Sequence, residues 1–127
     1  MKFSTRAEYG LRALAHLDKA AWQAVSLSSI AKKEGISLAY LERLFARLKR
    51  AGLVVSRLGN EGGYLLARKA SKIDLLSVIE TLEGSVAPYS CASGATCHVC
   101  HCKVHPVWKK LDAQIRKTLK NIKLSSI

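Results

Sequence analysis

Fifteen consecutive residues, Cys91 to His105, hold every cysteine of the chain and three of its four histidines. The order is Cys91, Cys97, His98, Cys100, His101, Cys102, His105, with small and polar residues between. Thiolates and imidazoles bind iron–sulfur clusters and zinc alike. In a reducing compartment, clustered cysteines read as ligands or redox-active thiols before they read as structural disulfides. Cys97-x2-Cys100 and Cys102-x2-His105 are two knuckle-like pairs suited to zinc, but only His101 separates them, where ordinary zinc sites allow a longer linker. Gly94 or Ala95 would let the loop wrap a flat cluster. Four buried, unligated cysteines would be out of place in a segment this polar and irregular. An iron–sulfur cluster, zinc and a metal-free thiol switch therefore all stay open. His98 and His101 are expected to decorate the loop or support the ligands. His16, alone in the first helix, reads as an ordinary core or surface histidine. Tyr89 and Trp108 flank the segment and should pack over it.

The rest of the chain must position this segment. With 127 residues there is room for one domain plus an appendage, and 49% hydrophobic residues suffice for a core. A net charge of +12 points to a polyanionic partner, double-stranded DNA before an anionic membrane. Residues 1–70 carry 13 Lys/Arg against 5 Asp/Glu, and residues 71–127 carry 8 against 4, so the surplus is densest in the first part. The first twenty residues mix charge with apolar groups, unlike a signal peptide. No apolar run is long enough to span a bilayer. No basic face carries the Trp/Phe anchors of a membrane-surface helix. A soluble, cytoplasmic protein without a membrane partner is expected.

Thr5 and Glu8 form a capping box that predicts a first helix from about Thr5 to Ala21. Ser26 should cap a short second helix that ends at Gly35, and Ser37 a third, with Leu38, Leu41, Leu44, Phe45 and Leu48 inward and a stop at Gly52. The Gly-containing turn between them is the sequence form of a helix-turn-helix. Leu53–Arg57 and Tyr64–Ala67 read as a β-hairpin around a Gly-rich tip. Ser71 or Asp74 should cap a fourth helix closed by Gly84. Pro106 suits the first turn of a last helix. The predicted fold is mainly α with a small β-hairpin: a winged helix-turn-helix over residues 1–70, then the ligand loop and a long C-terminal dimerisation helix over residues 71–127.

On that plan Ser37, Ala39, Tyr40, Glu42 and Arg43 lie off the apolar stripe of the third helix and could read base edges. Arg43 can pair bidentately with guanine, and Glu42 can accept from cytosine. Arg47, Lys49 and Arg50 suit phosphates. Arg57 and Asn60 could carry the wing to the adjacent minor groove. Trp108, Leu111, Ile115, Leu119 and Ile122 recur on one face of the last helix. The fourth helix already offers an apolar face to its own domain, so this second stripe is the expected homodimer interface.

Several segments are recognisable: Gly35-Ile-Ser-Leu-Ala-Tyr-Leu-Glu-Arg-Leu-Phe45, Ala51-Gly-Leu-Val54, Gly62-Gly-Tyr-Leu-Leu66, and Cys91 to Trp108 with its Cys-x5-Cys and Cys-x2-His spacings. Together they resemble the IscR-like family of iron–sulfur-cluster-sensing, dimeric winged-helix regulators over nearly the whole chain. The resemblance implies a 2Fe-2S cluster on Cys91, Cys97, Cys102 and His105, and base reading by Ser37, Tyr40, Glu42 and Arg43. Two places depart from the family pattern. Four residues rather than five separate the second and third ligands, with Cys100 intervening as an alternate third ligand. In the wing, Leu58 stands where family members often carry Arg, and Arg57 precedes it.

The expected function is a DNA-binding transcription regulator, a repressor by analogy, whose operator binding follows the state of the cluster. Zinc, a thiol switch or a small effector in place of the cluster is the alternative. Ordering of residues 88–105 between the fourth and last helices would shift the two reading heads. An enzyme is not expected: no catalytic base constellation is visible, and Cys97-x2-Cys100 lacks the βαβ context of a thioredoxin.

Overall fold

Serine and aspartate caps decide where the helices begin. The computed structural model describes residues 2–59, 62–93 and 102–127. It contains α1 (Thr5–Lys19), α2 (Leu27–Glu34), α3 (Leu38–Arg50), β1 (Val54–Arg57), β2 (Gly63–Leu66), α4 (Leu75–Glu83) and α5 (His105–Asn121). Short 3-10 turns lie at Ala70–Lys72, Ser90–Ser93 and Leu124–Ser126. Ser26 Oγ accepts from the Ser29 amide at 3.2 Å, Ser37 Oγ from the Tyr40 amide at 3.3 Å, and Asp74 Oδ1 from the Ser77 amide at 2.8 Å. Each satisfies an N–H that the helix leaves without a partner. Among the described residues, no helix is long and apolar enough to cross a membrane.

The first helix departs from expectation at both ends. Its cap is Ser4 rather than Thr5, with Ser4 Oγ accepting from the Arg6 amide at 3.1 Å. Glu8 turns outward to Arg12 at 2.8 Å, and the acid that completes the cap is Glu83 at the end of α4. The helix stops at Lys19 because Ala21 and Trp22 leave the right-handed region. Ser71 lies in a 3-10 turn, and Asp74 alone caps α4.

Helices α2 and α3 meet at Gly35, whose φ of 65° makes the left-handed turn of the helix-turn-helix. On α3 the buried face is Leu41, Leu44, Phe45 and Leu48. Leu38 was expected with them but is 41% exposed, outside the core that takes Leu41 from the same turn. The hairpin pairs Val54 with Leu66 and Arg57 with Gly63. Val25, just before α2, adds a one-residue third strand: it exchanges hydrogen bonds with Tyr64 at 3.0 and 2.8 Å. Gly63 makes that approach possible, since a Cβ there would collide with the Val25 carbonyl. This is a winged helix: three helices and a hairpin wing.

One core joins both parts of the chain. Leu14, Ile30, Leu41, Phe45 and Leu48 from the first three helices pack with Ile73, Val78, Leu82 and Leu124. Leu124 lies beyond α5, and the sequence reading had no role for it. The tail returns through an isolated antiparallel bridge of Lys123 with Asp74, with Leu75 N–H donating to Ile122 O at 3.0 Å and Leu124 N–H to Ile73 O at 2.8 Å. A second, smaller cluster of Ala7, Leu75, Ile79 and Val86 sits between α1, α4 and α5.

Candidate functional site

Packing one face of α3 into the core leaves the other free. Ser37, Ala39, Glu42, Arg43, Arg47, Lys49 and Arg50 are exposed on it, and Arg57 is exposed at the end of β1. Asn60 lies outside the described residues. Tyr40 is half-buried, its ring edge-on to Tyr9 at 6.0 Å and its hydroxyl 3.3 Å from Thr5 Oγ1. That contact fixes a flat platform beneath Arg43, whose guanidinium lies 5.7 Å from the Tyr40 ring centre. Arg43 has no hydrogen bond or ion pair among the described residues, so its donor fork is free for a base edge or phosphate.

Two cations of the expected phosphate set also hold the fold. Arg47 Nη1 donates to the Leu82 carbonyl at 3.2 Å, docking α3 on the end of α4. Lys49 Nζ donates to Ser56 Oγ at 2.8 Å, joining the end of α3 to the wing. Helix periodicity does not report such contacts, since both partners lie on other elements.

The cysteine segment is bracketed by α4 and α5. The turn Ser90–Ser93, which carries Cys91, packs against α5. Cys91 and Cys102 are part-buried free thiols. The Cys102 carbonyl accepts from the His105 amide at 3.4 Å, and His105 is the first residue of α5. His105 Nδ1 is buried and has no partner among the described residues, although such atoms are normally satisfied. Tyr89 stacks on Trp108 with ring centres 5.6 Å apart and planes at 20°. Cys97, His98, Cys100 and His101 lie outside the described residues. Among the described residues, no three ligand-type side chains already form a metal-holding group. Two thiols and an orphaned imidazole nitrogen on packed elements nonetheless suit a soft-metal site, whether cluster or zinc.

The stripe on α5 divides. Ile115, Leu119 and Ile122 are half-covered by the second cluster of their own chain, and Trp108 is half-covered by Tyr89. Leu111 remains exposed, with Val107 and Val104, also exposed, one and two turns earlier on the same side. Arg116 anchors the helix, reaching Glu80 at 2.6 Å and Asp112 at 3.0 Å. Hydrogen bonds to Asp112 and then Glu80 outweigh partial burial and raise its pKa.

Sequence reasoning missed the acid at the centre of the scaffold. Glu83 accepts from the Ser4 amide and hydroxyl and from the Ala7 amide, with Arg6 Nη2 at 3.9 Å. Burial pushes its pKa up, but these hydrogen bonds and the Arg6 charge prevail and hold it below the usual value. Seventy-nine residues separate Glu83 from Ser4, so no local signal announces the pair.

The match to the iron-dependent transcriptional regulator family named Rrf2 runs over residues 3–127. The chain belongs to the Rrf2 family of transcriptional regulators. An HTH-type transcriptional regulator of Neisseria meningitidis serogroup A is 38% identical to this Rrf2 chain, covering all of it and 87% of the relative. Among solved structures, CymR, the global cysteine regulator of B. subtilis, superposes with a TM-score of 0.83 at 30% identity, covering 98% of this chain and 94% of CymR. T. potens IscR superposes with a TM-score of 0.80 at 35% identity, covering 98% and 84%. The Rrf2 assignment agrees with the winged helix, the basic α3 face and the resemblance carried by the cysteine segment.

Proposed function

We propose that this chain is a homodimeric Rrf2 repressor whose operator binding is controlled by a 2Fe-2S cluster on Cys91, Cys97, Cys102 and His105, with Cys100 as the alternate third thiolate. The observation that carries this reading is the buried Nδ1 of His105, without a partner among the described residues, on the helix against which the Cys91 turn packs. The likeness to T. potens IscR supports it. When bound, the cluster supplies an oxidisable centre whose presence reports iron–sulfur or redox state.

The chain's own residues do the rest. Cys91 follows α4 and His105 begins α5, so ligation by both would hold these helices together. Helix α3 is docked on α4 through Arg47, so a shift of α4 is passed to the reading face. Ser37, Ala39, Tyr40, Glu42 and Arg43 read base edges, while Arg47, Lys49, Arg50 and Arg57 meet phosphate and groove. Asn60 is proposed with the wing. Leu111, at the exposed end of the stripe formed with Trp108, Ile115, Leu119 and Ile122, leads the contact between copies. Two-fold pairing would set two α3 helices about 34–36 Å apart, one turn of DNA.

A second reading has its own support. Two free thiols at Cys91 and Cys102, and the likeness to Staphylococcus aureus CymR, solved in an oxidised form, favour a metal-free thiol switch. Anaerobic purification separates the readings. About two irons and two acid-labile sulfides per chain, lost in Cys91→Ala and Cys102→Ala, are expected for the cluster. Zinc without sulfide overturns the cluster in favour of a zinc site. Metal-free protein whose duplex binding responds to thiol oxidation overturns it in favour of the switch.

A further inference from the structure

The link from α1 to α2 is built in a way that the nucleic-acid face does not require. Ala21 and Trp22 have φ of 48° and 71°, in the left-handed region that residues with side chains seldom enter. Two hydrogen bonds brace the turn, Ala21 N–H to Asp18 O at 3.3 Å and Gln23 N–H to Ala20 O at 3.1 Å. The outcome is a Trp22 side chain that is 57% exposed. Backbone strain of this kind gathers at ligand clamps and switch regions.

Trp22 stands at the edge of a cavity of about 280 Å3. That is close to the lower end of the roughly 300–1,000 Å3 range of small-molecule sites. The cavity is lined by the buried apolar residues Leu17, Leu66 and Ala70 and by Asp18 and Lys69. Among the described residues, neither charged side chain has a hydrogen bond or ion pair. An apolar lining, an aromatic face and one unpaired charge of each sign together match a small zwitterion with an apolar side chain. Its ammonium would meet Asp18 and the Trp22 ring, its carboxylate would meet Lys69, and its side chain would cover the leucines.

The site also touches the wing. Leu66 belongs to β2, and Trp22 lines a second recess together with Arg57 and Leu58. We infer that this cavity binds an effector of the α-amino-acid class with an apolar side chain, and that its occupancy resets the wing. The second half rests on the DNA-binding reading proposed above; the first does not.

The test uses the full-length protein and three probes, L-leucine, L-methionine and L-phenylalanine. Isothermal titration calorimetry should show saturable binding of at least one, with a Kd below about 10 mM. Asp18→Asn and Lys69→Met should each weaken it by roughly tenfold, and the N-acetyl derivative of the probe should not bind. The probe should also change operator affinity by a factor of about three or more in the wild type but not in Asp18→Asn. Saturable heats that are equal in the wild type and both variants overturn the assigned site. No binding of any probe to protein that still binds its duplex overturns the inference and leaves the DNA-binding reading standing. Binding with no change in operator affinity overturns the coupling to the wing. Protein that binds no duplex at all instead sinks the DNA-binding reading.

Discussion

Glu83→Ala should cost about 2–3 kcal/mol of folding free energy, and Glu83→Gln only about 0.5–1 kcal/mol. The hydrogen bonds from Ser4 N–H, at 2.9 Å, from the Ser4 hydroxyl and from Ala7 N–H, at 3.3 Å, all end on Oε1. Hydrogen bonds to a charged group contribute roughly 1.5–3 kcal/mol each, but three donors sharing one oxygen do not add. The side chain is only 11% exposed, so water replaces these contacts poorly. Arg6 contributes little, being 41% exposed and 3.9 Å from the other oxygen. Glutamine can place its carbonyl oxygen where Oε1 lies and so loses mainly the charge. Urea denaturation at one fixed protein concentration reads both variants, because self-association would otherwise enter the midpoint.

The acid limb provides an independent check. The folded-state pKa of Glu83 lies below its ordinary value of 4.5. Its stabilisation is therefore fully present above that pH and is lost as pH falls through the folded value. Glu83→Gln should flatten this part of the stability–pH curve. Asp74 leaves some slope: its pKa is also lowered, burial being outweighed by hydrogen bonds from Ser77 and its own backbone and by the Lys123 charge. Equal costs for alanine and glutamine, or costs below about 0.5 kcal/mol for both, would refute the argument that Oε1 organises the start of α1.

Gly63→Ala should break the Val25–Tyr64 pairing, because the added methyl collides with the Val25 carbonyl. Two backbone hydrogen bonds and local strain predict a loss of about 2 kcal/mol or more, read as a lower Tm, together with weaker duplex binding through the displaced wing. Arg43→Ala and Arg47→Ala should differ in kind. Arg43 has no hydrogen bond or ion pair among the described residues and lies over the Tyr40 ring, so its loss should reduce duplex affinity by about 1–3 kcal/mol with little change in the urea midpoint. Arg47 also docks α3 on α4, so its loss should reduce affinity and, by about 1 kcal/mol, stability. Unchanged stability in Arg47→Ala would remove its docking role.

What the linear chain determined is mostly local. Ser26, Ser37 and Asp74 cap their helices through amides three residues away, and Gly35 makes its turn through its own φ. Such interactions are readable because both partners lie within one turn. The clustering of Cys91, Cys102 and His105 is readable because they lie in one short run of the chain, and the apolar face of α3 because it repeats at helical spacing. The choice of Ser4 over Thr5 as a cap was not readable. Both residue types can cap, and a carboxylate 79 residues away decides between them. Leu38 fits the stripe of α3, but a stripe does not say which of its members the core reaches, and the core takes Leu41 while leaving Leu38 exposed. The α5 stripe likewise specified an apolar face without its cover, and Ala7, Leu75, Ile79 and Val86 take part of it. Leu124 joined the core, and Arg47 and Lys49 became ties as well as cations, only once distant elements were packed. Periodicity records what a residue would bury; the tertiary structure alone supplies the surface against which it is buried.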